Sequence, residues 1–545
     1  MAQNPSLSRA AKARPTTQVG VLGILHISYF PCRLFPVACI PELCALYLKF
    51  KFILVLEPAV FHMGDATATE VFPVMDSIAV AMGDVESQLR VFHNVSRFLP
   101  TDDANQVFWW RTTGRHFAIM MHEARYSEAR QVELLLFYRF VIAPRLGPRP
   151  TSATPWFHSR VAPGIGDGSP IGYSWRWGTG PDTKPLIRHY IEAIGPLTGT
   201  TADPLNEFAA KEMLYQLGQL VPGVELPLAW KFAAHIRPSL TDEPTRAVAG
   251  SSILIGLQCA PESAGIEVMA GLMTRSPAQV PELLHSIFPR AMRDAYGPDA
   301  SLDGLNMVRD FVCHDPQGQY LTILGTTAID CCAAASSRFK VYVTTTNTSF
   351  AHLAAVMTLG GRKPEAPESL TQLQELWYAL KGLDPEFPVT AEPLSSVCGA
   401  ANGTASGNPN ANVSGVTFYF DIHPKYPFPH IKLQVDISKH TISDLGAINA
   451  VTEFLARRGQ AADAQAYLNV VRAMVPDEEL RTRRGLQAFF AFAFKNGAVD
   501  ITSYFLPQIY RRYAEVQAEL EPRKDCQGRS ELSSKLQRRS RFDSY

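Results

Sequence analysis

The chain has 545 residues, of which 46% are hydrophobic and 19% are charged, and its 51 basic residues balance its 51 acidic ones. This apolar fraction excludes a wholly disordered chain, and the length allows one large domain or several ordinary ones. Without a basic excess the chain is not expected to bind nucleic acid, because phosphate contacts need surplus positive charge on one face.

The first 70 residues differ from the rest of the chain. They are basic and polar up to residue 17, and prolines and charges interrupt the apolar stretch that follows. No segment there reaches the roughly 20 apolar residues that span a bilayer, and no clear cleavage site follows a compact apolar core. We interpret residues 1–70 as an extension outside the core, consistent with a mis-assigned translation start. A membrane-associated leader is the alternative.

The body of the chain, residues 71–520, alternates between helical and strand patterns. Apolar residues recur at helical spacing in six segments. The predicted helices are 116–142, 204–220, 277–296, 349–359, 441–458 and 462–474. Residues 390–415, rich in Gly, Ala, Ser and Asn, predict a flexible insertion, and the polar segment 521–545 predicts a disordered tail.

Four short segments alternate polar and apolar residues, as strands do. They are 230–237, 338–343, 416–423 and 431–437. Their polar faces carry Arg, Lys, Tyr, Gln and His. Because the helices are numerous enough to cover the apolar faces, we interpret the polar faces as lining a closed interior that suits an anion such as diphosphate. The alternative is an ordinary sheet with solvated polar faces.

The nine cysteines include no CxxC pair, and their number is odd and small for the length. This pattern favours reduced, mostly buried thiols over a zinc ribbon or a disulfide framework. We therefore expect a cytoplasmic protein.

The motif Arg338-x-Lys340-x-Tyr342, followed by Ser349-Phe350 and by MTLGGR at 357–362, resembles the fungal aromatic prenyltransferases of the dimethylallyltryptophan synthase family. The similarity continues at 126–147, 167–177, 429–444 and 485–510, and it spans about residues 75–515. It implies an α/β fold: a ten-stranded antiparallel barrel inside an outer ring of helices, built from ααββ repeats. The lumen of that barrel would hold both substrates.

The resemblance also implies an activity and site residues. The family moves a prenyl group, usually dimethylallyl, from its diphosphate to an electron-rich aromatic ring, without an obligatory metal or other cofactor. Fixed cations must hold the diphosphate, and aromatic faces must shield the allylic cation. The residues implied for the diphosphate are Arg188, Arg338, Lys340, Tyr342, Lys432 and Gln434, with His235 as a further candidate. Those implied for the acceptor or prenyl pocket are Gly172, Tyr173, Tyr419 and Phe489, and further aromatic candidates are Phe490, Phe492, Phe494, Tyr504 and Tyr510.

Two departures from the family pattern bear on the acceptor. The family usually has a glutamate, which binds the indole N–H, at the position of Gly172, and it has Lys-x-Tyr where this chain has Ala233-Ala-His235. Losing the carboxylate removes a charged hydrogen bond worth roughly 1.5–3 kcal/mol. A phenol is activated by its own oxygen, so we expect a phenolic polyketide as the acceptor, with an indole alkaloid or indole diterpene as the alternative. The base would then be His235, Asp421, His423 or water.

The main hypothesis is therefore an enzyme that alkylates an aromatic metabolite by Friedel-Crafts chemistry, with a prenyl diphosphate and a small aromatic acceptor as its partners. One alternative is a non-catalytic binding protein on the same barrel, which the retained cations disfavour. The other is a membrane-bound prenyltransferase, which would need several long apolar spans and a DDxxD motif; here Asp102-Asp103 is followed by Ala-Asn-Gln. We expect no stable membrane insertion, and both a monomer and a homodimer fit.

Overall fold

The computed structural model describes residues 88–162, 165–178, 183–236, 251–262, 265–273, 282–393, 415–441 and 443–520. All of them fall within one structural unit, Met75–Tyr545. The predicted extension at 1–70, most of the predicted insertion at 390–415 and the predicted tail at 521–545 lie outside the described residues.

Ten antiparallel strands close into a barrel, because the first strand pairs with both the second and the last. Every other strand pairs with its neighbours in chain order, so the sheet has no unpaired edge. The strands are β1 (Ile171–Arg176), β2 (Leu186–Ile191), β3 (Ile253–Cys259), β4 (Ile266–Met273), β5 (Leu321–Asp330), β6 (Phe339–Thr345), β7 (Val416–Ile422), β8 (His430–Asp436), β9 (Gln487–Lys495) and β10 (Ala498–Phe505).

Helices precede each pair of strands and pack against the outside of the barrel, which confirms the predicted ααββ order and fold class. Among the described residues no helix is both long and apolar enough to cross a membrane. The α-helices are α1 (Arg90–Ser96), α2 (Ala104–Trp109), α3 (Arg115–Glu123), α4 (Glu128–Phe137), α5 (Phe208–Leu220), α6 (Pro227–Ile236), α7 (Phe288–Tyr296), α8 (Asp303–His314), α9 (Phe350–Thr358), α10 (Pro367–Lys381), α11 (Ile437–His440), α12 (Asp444–Arg457), α13 (Ala461–Met474), α14 (Asp477–Thr482) and α15 (Tyr513–Leu520).

Because the barrel is closed, successive side chains of each strand point alternately into the lumen and out toward the helices. In β2, Ile187 and His189 are buried, whereas Arg188 and Tyr190 are partly exposed. The ring of His189 lies 4.3 Å from the ring of Phe117 on α3, so the buried residues face the helices. The partly exposed residues must then face a lumen that solvent can enter. The polar strand faces therefore line an interior, as predicted.

The segment 230–237 is not the strand that its alternation predicts. Residues up to Ile236 form α6, and Arg237 lies outside the described residues. Leu228, Phe232 and Ile236 are spaced four residues apart and are buried, which is the spacing of a helix face. A segment of this length satisfies both periods, so alternation alone could not decide between them.

The single helix predicted at 116–142 is two helices. α3 ends at Glu123, and Arg125 adopts a φ of 58°, which reverses the chain direction. The side chain of Ser127 then accepts a hydrogen bond from the backbone N–H of Arg130 and starts α4. The apolar pattern continues across the break because both helices pack on the same core.

Of the nine cysteines, four lie among the described residues, and all four are free thiols. They are Cys259, Cys313, Cys331 and Cys332.

Asp444 ties the start of α12 to the start of β9. Its carboxylate accepts the backbone N–H groups of Gly485, Leu486 and Gln487, at 3.2, 2.9 and 3.3 Å. Burial raises the pKa of Asp444 to about 6, although these three hydrogen bonds oppose the shift.

We expect Asp444→Ala to lower the free energy of unfolding by about 3 kcal/mol, because three buried donors lose their acceptor. Glu453→Ala, on the exposed face of the same helix, should change it by less than about 0.5 kcal/mol. Urea unfolding followed by tryptophan fluorescence measures both. Equal stability of the two variants would contradict the role given to Asp444.

Candidate active site

A cluster of two cations and two carboxylates lies at the start of β6 and the end of β5. Asp330 accepts from Arg338 Nε at 2.8 Å and from Lys340 Nζ at 3.0 Å. Asp421, opposite Lys340 on β7, lies 3.3 Å from Lys340 Nζ and 3.7 Å from Arg338. Burial opposes both charges, but the mutual attraction raises the pKa of Lys340 and lowers that of Asp330. Asp330 and Lys340 are therefore ionised, and the ion pairs hold all four side chains in place.

A second cluster forms where β1, β8 and β10 face the lumen. Asp500 binds Arg176 Nε with both oxygens, at 2.9 and 3.0 Å, and lies 3.9 Å from Lys432 Nζ. Lys432 also donates to Thr502 at 3.4 Å. Burial lowers the pKa of Lys432 to about 7; Asp500 opposes this shift, and Arg188 and Arg176 add to it.

Arg188 is held by a neutral partner. Its Nε donates to Gln258 Oε1 at 2.7 Å, and the amide of Gln258 donates in turn to Glu267. Within the described residues Arg188 makes no ion pair to a carboxylate. Its positive charge is therefore available to a ligand, and Lys432, 3.9 Å from Asp500, adds to it when protonated.

Four tyrosines face the lumen beside these cations. The rings of Tyr190 and Tyr504 are 5.5 Å apart, and those of Tyr342 and Tyr419 are 5.2 Å apart. Burial raises the pKa of Tyr342, Tyr419 and Tyr504 above their usual range, so the phenols stay neutral. Lys432 Nζ lies 6.0 Å from the ring of Tyr419. Neutral tyrosines offer hydroxyl donors to an anion and ring faces to a cation.

Gly172 lies on the lumen side of β1, opposite Tyr190. Glu192, just beyond β2, lies across from the start of β1, because its backbone N–H donates to the carbonyl of Pro170 at 2.9 Å. Its carboxylate accepts from the Ser159 hydroxyl at 2.6 Å, from the backbone N–H of Arg160 and from that of Ser251. The hydrogen bonds of Glu192 therefore hold the segment before β1 and the segment before β3 in place.

The predicted residues that the structure brings to the lumen share one phase of the strand alternation. Tyr342 lies opposite Tyr419, which lies opposite Lys432, and Thr417 lies opposite Gln434. The predicted residues on this phase are Gly172, Arg188, Arg338, Lys340, Tyr342, Tyr419, Lys432, Gln434 and Phe489.

The prediction that Tyr173 lines the pocket is wrong. Its hydroxyl lies 3.2 Å from Nδ1 of His116 on α3, and its ring packs 5.8 Å from that of His189. Neighbours on a strand face opposite sides, so the lumen position of Gly172 sends Tyr173 to the helices. Among the further aromatic candidates only Tyr504 faces the lumen from a strand. Those packed against the helices are Phe490, Phe492 and Phe494, and Tyr510 is buried beyond β10.

The prediction that His235 faces the lumen, as a diphosphate ligand or a base, is also wrong. His235 lies on α6, and its Nε2 is 3.2 Å from Oδ2 of Asp294 on α7. The base candidate His423 follows β7, with Nε2 3.1 Å from the carbonyl oxygen of Ala335 and Nδ1 accepting from the backbone of Lys425. Of the three side chains offered as bases, Asp421 is the one that faces the lumen.

Sequence reasoning missed several lumen residues. Two of them alternate with a predicted residue: Tyr190 follows Arg188 by two, and Arg176 follows Gly172 by four. Asp330 and Asp500 were not predicted, because an anion site calls for cations rather than carboxylates. Among the described residues no group of three or more His, Cys, Asp or Glu is placed to hold a metal ion.

Comparison with known proteins identifies the family. The family profile of tryptophan dimethylallyltransferase matches residues 105–470. Prenyltransferase nscD of Arthroderma otae is 50% identical over 428 residues, which are 78% of this chain and 96% of that protein. Prenyltransferase nscD of Aspergillus fumigatus is 48% identical over 457 residues, 84% of this chain and 96% of that protein. The chain belongs to the tryptophan dimethylallyltransferase family, and it is an aromatic prenyltransferase.

Solved structures share the fold. AnaPT from Neosartorya fischeri has a TM-score of 0.61 at 22% identity, covering 77% of this chain and 98% of that one. NotF, solved with brevianamide F and DMSPP, has a TM-score of 0.60 at 20% identity, covering 75% and 96%. The named relatives support an enzyme over a non-catalytic barrel.

The low pKa of Lys432 predicts a pH dependence of anion binding. A bound diphosphate stabilises the protonated lysine, so binding above pH 7 must take up a proton, and the dissociation constant should rise by up to about tenfold per pH unit between 7 and 9. Because inorganic diphosphate itself titrates, the quantity to compare is the difference between the wild type and Lys432→Met. Calorimetry in two buffers of different ionisation enthalpy counts the protons. Equal proton uptake by the two proteins would contradict a ligand role for Lys432.

Proposed function

We propose that the enzyme transfers a dimethylallyl or longer prenyl group from its diphosphate to a phenolic aromatic ring, without an obligatory metal. The observation that carries this proposal is the division of the lumen. The cations occupy one end of it. Gly172 lies toward the other end, opposite Tyr190, and replaces the carboxylate expected at its position with no side chain.

The diphosphate binds among Arg188, Lys340 and Lys432. Arg188 has no carboxylate among the described residues to give up, and Lys432 gains a proton when an anion arrives, so these two supply most of the attraction. Arg338 and Lys340 remain oriented by Asp330 and add a fixed positive field. Preoriented cations of this kind stabilise the negative charge that grows on the leaving group.

The transfer breaks one bond and makes another. The C1–O bond of the prenyl diphosphate breaks, and its electron pair leaves with the diphosphate. The allylic cation then bonds to a ring carbon of the acceptor, and that carbon loses its proton. Tyr190, Tyr342, Tyr419 and Tyr504 enclose the cation, which their ring faces stabilise and which they shield from water.

The acceptor follows from what the lumen lacks near Gly172. An indole there would leave its N–H without a charged acceptor, because Glu192 already accepts from three protein donors. A phenol brings its own activating oxygen, and its hydroxyl can bond to Tyr190 or Tyr504. An indole acceptor is the second candidate, which the tryptophan-named family profile favours.

The proton from the ring carbon needs an acceptor in the lumen. Asp421 is buried there, and its Oδ1 makes no hydrogen bond, although it lies 3.3 Å from the Lys340 ammonium. We assign the proton to Asp421 or to the released diphosphate beside it.

An assay of the full chain tests the proposed function. With dimethylallyl diphosphate, EDTA and a panel of hydroxynaphthalenes and indoles, we expect prenylated hydroxynaphthalene, detected by LC–MS. Arg188→Leu should lower kcat/KM by about 100-fold, because a fixed charge opposite the leaving group is lost. Arg457→Leu, which removes an exposed arginine paired with Glu375 on the outer helices, should leave it unchanged.

Two results would overturn this function. Product from indoles alone would reject the phenolic acceptor and keep the reaction class. Activity that EDTA abolishes and Mg²⁺ restores would reject the metal-independent mechanism.

A further inference from the structure

The space beside Gly172 is already filled. Its φ lies outside the left-handed region, so the backbone does not require glycine there. A Cβ atom at this position would lie 2.9 Å from Cγ1 of Val161 and 3.1 Å from Cδ2 of Leu506. Packed carbon atoms sit roughly 3.5–4.0 Å apart, so even alanine would have to displace a neighbour.

Val161 and Leu506 are held in place through their backbones. The N–H of Val161 donates to the Ser159 hydroxyl at 3.3 Å, and that hydroxyl donates to the buried Glu192 at 2.6 Å. The N–H of Leu506 donates to the carbonyl of Leu486 at 2.9 Å. These hydrogen bonds fix the backbone at Val161 and at Leu506, and so they fix where the two side chains lie.

The segment before β1 and the segment after β10 are also tied to each other. Asp167 accepts from the backbone N–H of Tyr510 at 2.8 Å and from that of Arg511 at 3.0 Å. The Ser169 hydroxyl accepts from the backbone N–H of Ile509 at 3.2 Å. These bonds keep Val161 and Leu506 together over the same end of the lumen.

Val161 and Leu506 belong to a small apolar cluster separate from the main core. Phe489, which faces the lumen from β9, packs against this cluster and meets Tyr504 edge-on at 6.4 Å. Val161 and Phe489 remain partly exposed, so the cluster presents an apolar surface to the lumen. We call Val161, Leu506 and Phe489 the apolar wall.

We propose that the ring system of the acceptor rests against the apolar wall, and that Val161 and Leu506 set how large a ring edge the enzyme accepts. This inference rests on the proposed function and names the acceptor class more closely. The preferred acceptor is a flat aromatic whose edge toward Gly172 carries no polar group, because the wall offers that edge no hydrogen bond.

Two substitutions should move the size preference in opposite directions. Val161→Ala opens the space, and Gly172→Ala closes it. The measured quantity is kcat/KM for methyl-substituted hydroxynaphthalenes relative to the parent compound. We expect the best methylated acceptor to gain about tenfold in Val161→Ala and the same compound to lose about tenfold in Gly172→Ala, mostly through KM. The double variant should return toward the wild-type ratio, because the missing Cγ1 makes room for the new Cβ.

Val435→Ala is the matched control. It makes the same truncation on β8, where Val435 is fully buried in the core between barrel and helices. Its size preference should equal that of the wild type even if it is less stable. If Val161→Ala does not fold, Leu506→Ala opens the same space from the other segment. The proposal is overturned if Val161→Ala and Gly172→Ala leave the ratio of kcat/KM for methylated and parent acceptors unchanged. It is also overturned if Val435→Ala changes that ratio as much as Val161→Ala does.

Assays of the same variants with indoles distinguish a failure of this inference from a failure of the proposed function. If the wild type prenylates only indoles, the phenolic acceptor is rejected. The wall is then judged by the same opposite shifts measured with indole and methylindoles.

Discussion

The closure of β1 onto β10 is the constraint on which the rest of the molecule depends. Once the sheet is closed and covered by helices, each strand residue belongs either to the lumen or to the helix layer. Charges in the lumen then have little water around them and must pair, as Arg338 and Lys340 do with Asp330. Within the described part of the chain Arg188 has no ion pair to a carboxylate, and burial lowers the pKa of Lys432 to about 7. The proposed anion site is built on these two cations.

The lumen separates the two halves of the reaction. In the proposed mechanism its charged part favours departure of the diphosphate, and the neutral tyrosines stabilise the cation with their ring faces. Its apolar end, at Leu506 and Phe489, offers an aromatic ring an apolar contact surface. A ring that already carries its activating oxygen suits this division, because the protein need not supply the activation.

The resemblance carried by the order of the motifs implied the barrel and most of its cations, and period-two alternation predicted the polar faces of β6, β7 and β8. Prediction from the sequence failed at 230–237, where a short apolar pattern fits both a helix and a strand, and at Tyr173, where the phase was off by one residue. The apolar wall was not predictable, because Val161 and Leu506 come from segments far apart in the chain. Hydrogen bonds of Glu192, Asp167 and Ser169 help to hold those two segments beside Gly172.

A crystal structure of the full chain with dimethylallyl S-thiolodiphosphate and a hydroxynaphthalene tests the central claim most directly. The account predicts the diphosphate in contact with Arg188 and Lys432, and the naphthalene ring against Phe489 and Leu506. The allylic carbon would lie between the two, enclosed by the tyrosines. A diphosphate bound away from Arg188 and Lys432, or a ring placed against the charged cluster with the apolar wall uncovered, would contradict it.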